Sequence, residues 1–140
     1  MFLIDTSTEF GKRVARQLEE EEILWLTTVD ANGVPQPVPI WFLWDGETIL
    51  FYSQPNKPKL RNIERNSRVS LNFNTEPMGE EVGVFIGTLA VDPTAPLANQ
   101  SPEYQKKYGD GIIRIGYTND TYSETWSVPL RFTPEKLRGQ

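Results

Sequence analysis

Prolines at 35, 37 and 39 recur with a period of two in the run VPQPVPIWFLW, residues 34–44. Proline has no backbone N–H, and alternate residues of an extended chain point their N–H groups to the same side. One side of this segment therefore cannot donate ladder hydrogen bonds near its start, whereas Gln36, Val38 and Ile40 still donate to the other. As a strand, the segment must pair on one side and leave the other free. That makes it either a protected sheet edge or a wall open to a ligand or a partner subunit, and the two are compatible.

The rest of the chain supplies the sheet. Residues 23–29 (ILWLTTV) are β-branched and apolar, and Asp30-Ala31-Asn32-Gly33 turns them back into the proline-bearing strand. Residues 41–44 carry that strand to an Asp45-Gly46 turn, with residues 48–53 as the returning arm. Val69, Leu71 and Phe73 alternate inward across residues 68–74, and the apolar run 82–91 follows, with Gly83 and Gly87 marking bulges or close backbone approach. Residues 127–133 form the last strand, and Pro134 begins a short tail.

Three helical segments flank these strands. Thr6 or Ser7 caps a first helix to about Glu20, with Phe10, Val14 and Leu18 on one face. Its acidic end, Glu19–Glu22, reads as a solvated terminus. A second helix starts at Pro58. A third starts with Ser101 as cap and Pro102 at its first position and runs to about Tyr108. Residues 109–117 are either a short helix or a loop, and Thr118 or Asn119 caps another turn. About six strands, mostly joined as hairpins and without βαβ alternation, predict a mainly β domain. The expected architecture is a six-stranded antiparallel barrel with peripheral helices, in one domain over residues 1–140.

The stretch SQPNKPKLRNI, residues 53–63, concentrates the chemistry. Lys57, Lys59 and Arg61 lie within five residues, immediately after a strand and around a helix start, with Leu60 and Ile63 on the apolar side. Free N–H groups at a helix N-terminus, together with full positive charges, suit an anion and above all a phosphate. The competing reading is a solvated basic loop ahead of a surface helix.

Composition removes whole classes of function. The chain has no cysteine and no histidine, which excludes disulfides, thiol nucleophiles, Cys/His zinc sites, His-based triads and haem held by a proximal histidine. A formal net charge of −5 argues against general nucleic-acid binding. No apolar run reaches transmembrane length, and the acidic start does not suit a signal peptide, so the expectation is a cytoplasmic protein with neither membrane nor metal partner. Redox or group-transfer chemistry here would have to come from a bound organic cofactor.

With the hairpin and the basic turn in view, residues 25–73 (WLTTVDANGVPQPVPIWFLWDGETILFYSQPNKPKLRNIERNSRVSLNF) resemble the pyridoxamine-phosphate-oxidase-like superfamily of split β-barrels. With PQPVPIWFLWDG and YSQPNKPKLRNI the chain more closely resembles the deazaflavin (coenzyme F-420)-dependent branch of that superfamily. GTLAV, KYGDGIIRIG and RFTPEKLRG extend the likeness along nearly the whole chain. The resemblance implies a homodimer with two elongated flavin-type cofactors in grooves at the interface. It implies that Val38, Pro39, Ile40 and Trp41 line the ring system, largely through backbone groups. Tyr52, Ser53 and Gln54 would lie along the cofactor tail, and Lys57, Lys59 and Arg61 would hold its phosphate. The cofactor would be coenzyme F-420 or FMN, which the basic turn does not distinguish. The chain ends KLRGQ without the Arg/His arm of vitamin B6 oxidases, and it lacks the histidine that haem-degrading relatives need.

The function so implied is an oxidoreductase moving a hydride between a reduced deazaflavin and a small electron-poor organic substrate. One alternative is an FMN-dependent oxidase or reductase with the same residues. The other is a non-catalytic binder of a cofactor, lipid or tetrapyrrole, for which Trp25, Trp41, Phe42 and Trp44 offer apolar surface. No side chain stands out as a general acid or base; Tyr52, Tyr104, Tyr108 and Tyr117 are candidate proton donors or structural aromatics.

Overall fold

The proline-bearing segment lies at a sheet edge. In the computed structural model, which describes residues 2–140, β1 (Leu24–Val29) pairs antiparallel with β2 (Pro35–Ile40), and β2 has no other neighbour. The register runs unbroken from Leu24 opposite Ile40 to Val29 opposite Pro35, placing the prolines opposite Trp25, Thr27 and Val29. An unbroken ladder is possible because prolines can occupy the pairs of an antiparallel ladder that exchange no N–H···O bond.

Seven strands form one antiparallel sheet. The others are β3 (Leu43–Trp44), β4 (Ile49–Ser53), β5 (Arg68–Phe73), β6 (Gly83–Val91) and β7 (Val128–Gly139). Their spatial order is β2-β1-β5-β6-β7-β4-β3. The strand expected over residues 34–44 is broken at Trp41-Phe42, because its first half pairs with β1 and its second with β4. Hence there are seven strands rather than six. The two terminal strands of the sheet, β2 and β3, are thus consecutive in the chain and joined only by Trp41-Phe42. The barrel closes covalently at that dipeptide and is open in hydrogen bonding, a split β-barrel.

The expected tail beyond Pro134 is instead the second half of β7, paired with β6 as far as Gly83 opposite Gly139. Pro134 is tolerated because the register shifts between Ile86 and Gly87, a bulge that removes the need for its N–H. Gly87 makes this possible: a Cβ there would stand 2.2 Å from the Thr133 carbonyl oxygen.

Two cores result. Leu24, Leu26, Phe42, Phe51, Leu71, Phe85 and Phe132 fill the barrel, closed at one end by Val14 and Leu18 of α1 (Glu9–Glu20). The cap of α1 is Thr8 rather than Thr6 or Ser7, its hydroxyl accepting from the Gly11 N–H. On the other side of β4, Leu50 and Tyr52 pack under α3 (Pro102–Arg114) and α4 (Asn119–Thr125) with Tyr104, Tyr108, Ile112 and Tyr122. All five residues of β4 are therefore buried. The third helix runs past Tyr108 to Arg114 because Tyr104, Tyr108 and Ile112 bury one face at i, i+4 and i+8. The short helix α2 (Pro58–Arg65) buries Ile63 in the barrel and anchors on β1 through Asn62, whose side-chain amide donates to Thr28 Oγ1 at 3.0 Å.

Candidate functional site

The split of the barrel opens into two adjoining hollows that share Lys59. The first, about 220 Å³, is lined by Pro39, Ile40, Trp41, Tyr52, Lys59, Ile115, Tyr122 and Trp126. The second, about 520 Å³, is lined by Thr28, Asp30, Gln36, Val38, Lys57, Pro58, Lys59 and Asn62. The free edge of β2 contributes to both, which gives its missing neighbour a structural meaning.

The first hollow has an aromatic wall. Trp126, Tyr122, Trp41 and Tyr108 form a column of stacked rings, with successive centroids 4.6, 5.8 and 4.7 Å apart and interplanar angles of 19°, 17° and 6°. Gly111 lets Trp41 lie this close to α3, since a Cβ there would stand 3.3 Å from the indole. The phenols are already engaged. Tyr52 donates to the Pro96 carbonyl at 2.6 Å, and Tyr104 and Tyr122 share a hydrogen bond of 2.7 Å. Tyr108 lies within hydrogen-bond distance of Glu22 O and of the Phe42 N–H and carbonyl. Burial pushes the Tyr52 phenol up to about 12, and Tyr104 and Tyr108 move further in the same direction. These groups stay protonated, and their protons are committed.

The second hollow is polar and cationic. Asn56, in the left-handed region at φ +65°, turns the chain so that Lys57 occupies the N-cap of α2 and Pro58 its first turn. Lys57 makes no side-chain capping bond, but Pro58 has no N–H and the Leu60 N–H already donates to the Lys57 carbonyl at 3.0 Å, so the attraction for an anion here rests mainly on the lysine charges and the helix dipole. Among the described residues, no ion pair involves Lys57, Lys59 or Arg61. Asp30 shares the hollow, but its carboxylate accepts from the Val34 and Asn32 N–H groups at 2.9 Å and from Gln36 at 3.0 Å. The bond from Val34 contributes most to holding it below the ordinary carboxylate value. Burial, followed by the charge of Lys57, pulls the Lys59 ammonium below the usual lysine range. Two lysines without an ion-pair partner, side by side at a helix N-terminus, suit a bound anion.

Of the residues singled out from sequence, Val38, Pro39, Ile40, Trp41, Tyr52, Lys57 and Lys59 line the hollows. Three do not. Ser53 is buried with its hydroxyl donating to Gln54 O at 2.7 Å, Gln54 is half-buried beside it, and the exposed Arg61 guanidinium turns back to Asn56 O at 3.4 Å. Sequence reasoning missed Tyr122, Trp126 and Ile115 in one hollow and Thr28, Gln36 and Asn62 in the other. Burying alternation could have flagged Thr28, the polar residue on the inward face of β1. Nothing local marks the others.

A seven-stranded antiparallel barrel, split at one seam with a groove along it, is the class that fold and site define. The family model described as pyridoxamine 5'-phosphate oxidase matches residues 10–137, and the chain belongs to that family. Three similar solved structures share the fold. One is an F420 reductase, at 23% identity over 89% of this chain and 95% of its own, with a TM-score of 0.62. Another is the heme storage protein HutZ from Vibrio cholerae, at 18% identity over 99% and 95%, TM-score 0.64. The third is the conserved hypothetical protein Rv2991 from Mycobacterium tuberculosis, at 19% identity over 94% and 82%, TM-score 0.70. No curated protein matches the chain. Among the described residues, no helix is long and apolar enough to cross a membrane.

Proposed function

We propose that the protein is a cofactor-dependent oxidoreductase. It binds a flavin-type ring in the aromatic hollow and the phosphate of the same molecule at Lys57 and Lys59. The observation that carries this reading is that the aromatic and the cationic hollow adjoin, with Lys59 lining both. An elongated ligand with a flat ring at one end and an anion at the other fits the donor set at both ends. Coenzyme F-420 and FMN both have that form, and the ring would supply hydride transfer. The chain itself would stack the substrate-facing ring pocket with Trp41, Tyr122 and Trp126, exclude water and fix the phosphate. No free acid–base group lines the ring hollow apart from Lys59, in keeping with a reaction whose chemistry resides in the cofactor. A small electron-poor acceptor, such as an activated alkene or a quinone, is the matching substrate class.

The exposed flank of β2, from Pro35 to Pro39, borders the groove along its length. We propose that a second copy of the chain covers it, giving a homodimer with a groove at each end of the interface. Sedimentation of the purified protein tests this; a monomer at the concentrations used for binding would refute it.

The decisive experiment titrates FMN and coenzyme F-420 side by side against the protein, followed by turnover with the reduced cofactor. Tight binding of the deazaflavin with hydride transfer to an activated alkene or quinone is the expected result. Preference for FMN would redirect the assignment to an FMN oxidase or reductase with the same residues in the same roles. Tight binding without turnover on any acceptor would indicate sequestration, and binding of neither would end the cofactor assignment.

A further inference from the structure

The barrel's two edges meet only through Trp41-Phe42, and the Phe42 backbone is buried where water cannot satisfy it. Its N–H donates to Tyr108 Oη at 2.8 Å. That hydroxyl has one proton to give and two carbonyls in reach, Glu22 O at 2.8 Å and Phe42 O at 3.1 Å. When it donates to the nearer Glu22 O, the Phe42 carbonyl depends on Lys107 Nζ, 3.2 Å away.

We infer that Lys107 is a positioning residue: it pins the Phe42 peptide at the seam of the barrel and so holds Trp41 in the wall of the groove. Lys107 and Tyr108 are adjacent on α3 and grip the two backbone groups of one residue, Phe42. While Tyr108 holds the Phe42 N–H and Lys107 its carbonyl, the Tyr108 ring lies flat against the Trp41 indole at 4.7 Å and 6°. Lys107 Nζ also stands 3.7 Å above the centre of the Phe42 ring, a cation–π contact. Glu19, Glu103 and Lys106 share its hollow of about 440 Å³, and Glu21 and Glu22, just past the end of α1, lie close enough to act on its charge. Even so, Lys107 joins none of the ion pairs formed among the described residues. Its ammonium is turned to the seam instead of to the acids. Burial there pulls it down to about 8, against the acids' opposing effect.

The test needs no ligand. The Trp41 contribution to near-ultraviolet circular dichroism is the difference between the protein and Trp41→Phe. In Lys107→Met most of that contribution should vanish while the far-ultraviolet spectrum is retained, and Lys107→Arg, which keeps a cationic donor, should preserve it. An undiminished Trp41 signal in Lys107→Met overturns the inference, as does equal loss in both variants. If Lys107→Met does not fold, Lys107→Gln takes its place with the same readings. Where a flavin-type cofactor binds as proposed above, Lys107→Met should weaken it by up to about tenfold, the scale of a lost aromatic stack. Because the spectroscopic reading stands without a cofactor, failure of the pin and failure of the cofactor assignment remain separate results.

Discussion

The two ends of the groove are built by opposite means. The charges of the cationic end come from one short stretch at the start of an eight-residue helix, where Lys57 at the cap and Lys59 in the first turn line a hollow open to solvent. The aromatic end is assembled from β2, β4, the end of α3 and α4, and its rings belong to the second core of the molecule. Binding and stability are therefore separable at the first end and inseparable at the second.

The largest effect should fall on the cationic end and on binding alone. Lys57→Ala combined with Lys59→Ala should weaken FMN or deazaflavin binding at least about tenfold, since charge-assisted contacts contribute about 1.5–3 kcal/mol each before solvent screening. The melting temperature should stay level, because neither side chain is in a core or an ion pair. Equal affinity in the double variant would remove the phosphate assignment. At the aromatic end Trp41→Ala should cost on both axes: affinity down about tenfold by loss of the stack, and stability down about 2–3 kcal/mol for a partly buried indole. Isothermal titration and urea unfolding on the same preparation read the two. Tyr108→Phe keeps the ring in place but leaves the Phe42 N–H without its acceptor, and should cost about 1–3 kcal/mol of stability by urea unfolding.

The same contrast decides what could be read from the sequence. The cationic end was legible because its signal is local: a helix start, a proline and clustered charges need no partner to be recognised. The edge position of β2 was legible for a related reason, since Pro35, Pro37 and Pro39 forbid a second neighbour whatever the rest of the chain does. The break at Trp41-Phe42 was not legible, because continuous apolar residues there suit one long strand equally well. Only the competition between β1 and β4 for pairing splits it. Nor was the reach of β7 beyond Pro134. A proline reads as a stop unless its own strand is known to bulge beside it, as β7 does at Glu135, between the partners of Ile86 and Gly87. Tyr122 and Trp126 look like any helix aromatics until the fold of the chain brings them onto Trp41.

Protons offer a finer probe of the cationic end. Lys59 binds an anion only when charged, and its pKa is lowered by burial and by Lys57. Affinity for a phosphate-bearing cofactor should hold level at neutral pH. It should then fall as pH rises through that lowered value, earlier than an ordinary lysine would lose its proton. Binding in that region should take up a proton, because the phosphate restores the charged form. Lys59→Arg should flatten the profile, since arginine stays charged throughout. An unchanged profile in that variant would assign the titration to another group, while leaving the hollow itself in place.

The smallest expected effect is also the sharpest division within the cluster. Lys57, Lys59 and Arg61 are equivalent in sequence, but the helix separates them: the two lysines line the hollow, whereas Arg61 turns back to the Asn56 carbonyl at 3.4 Å. Arg61 then acts on a bound phosphate mainly through long-range charge, which water and salt screen. Arg61→Ala should weaken cofactor binding by less than about threefold, the scale of an exposed charge interaction, and less still as salt is raised. A loss as large as that of the lysine variants would mean that Arg61 abandons Asn56 when the anion arrives. The left-handed turn at Asn56 would then have to be part of what binding rearranges. Titrating the single variant at two ionic strengths separates these outcomes, because a direct guanidinium–phosphate pair survives salt that would erase a distant one.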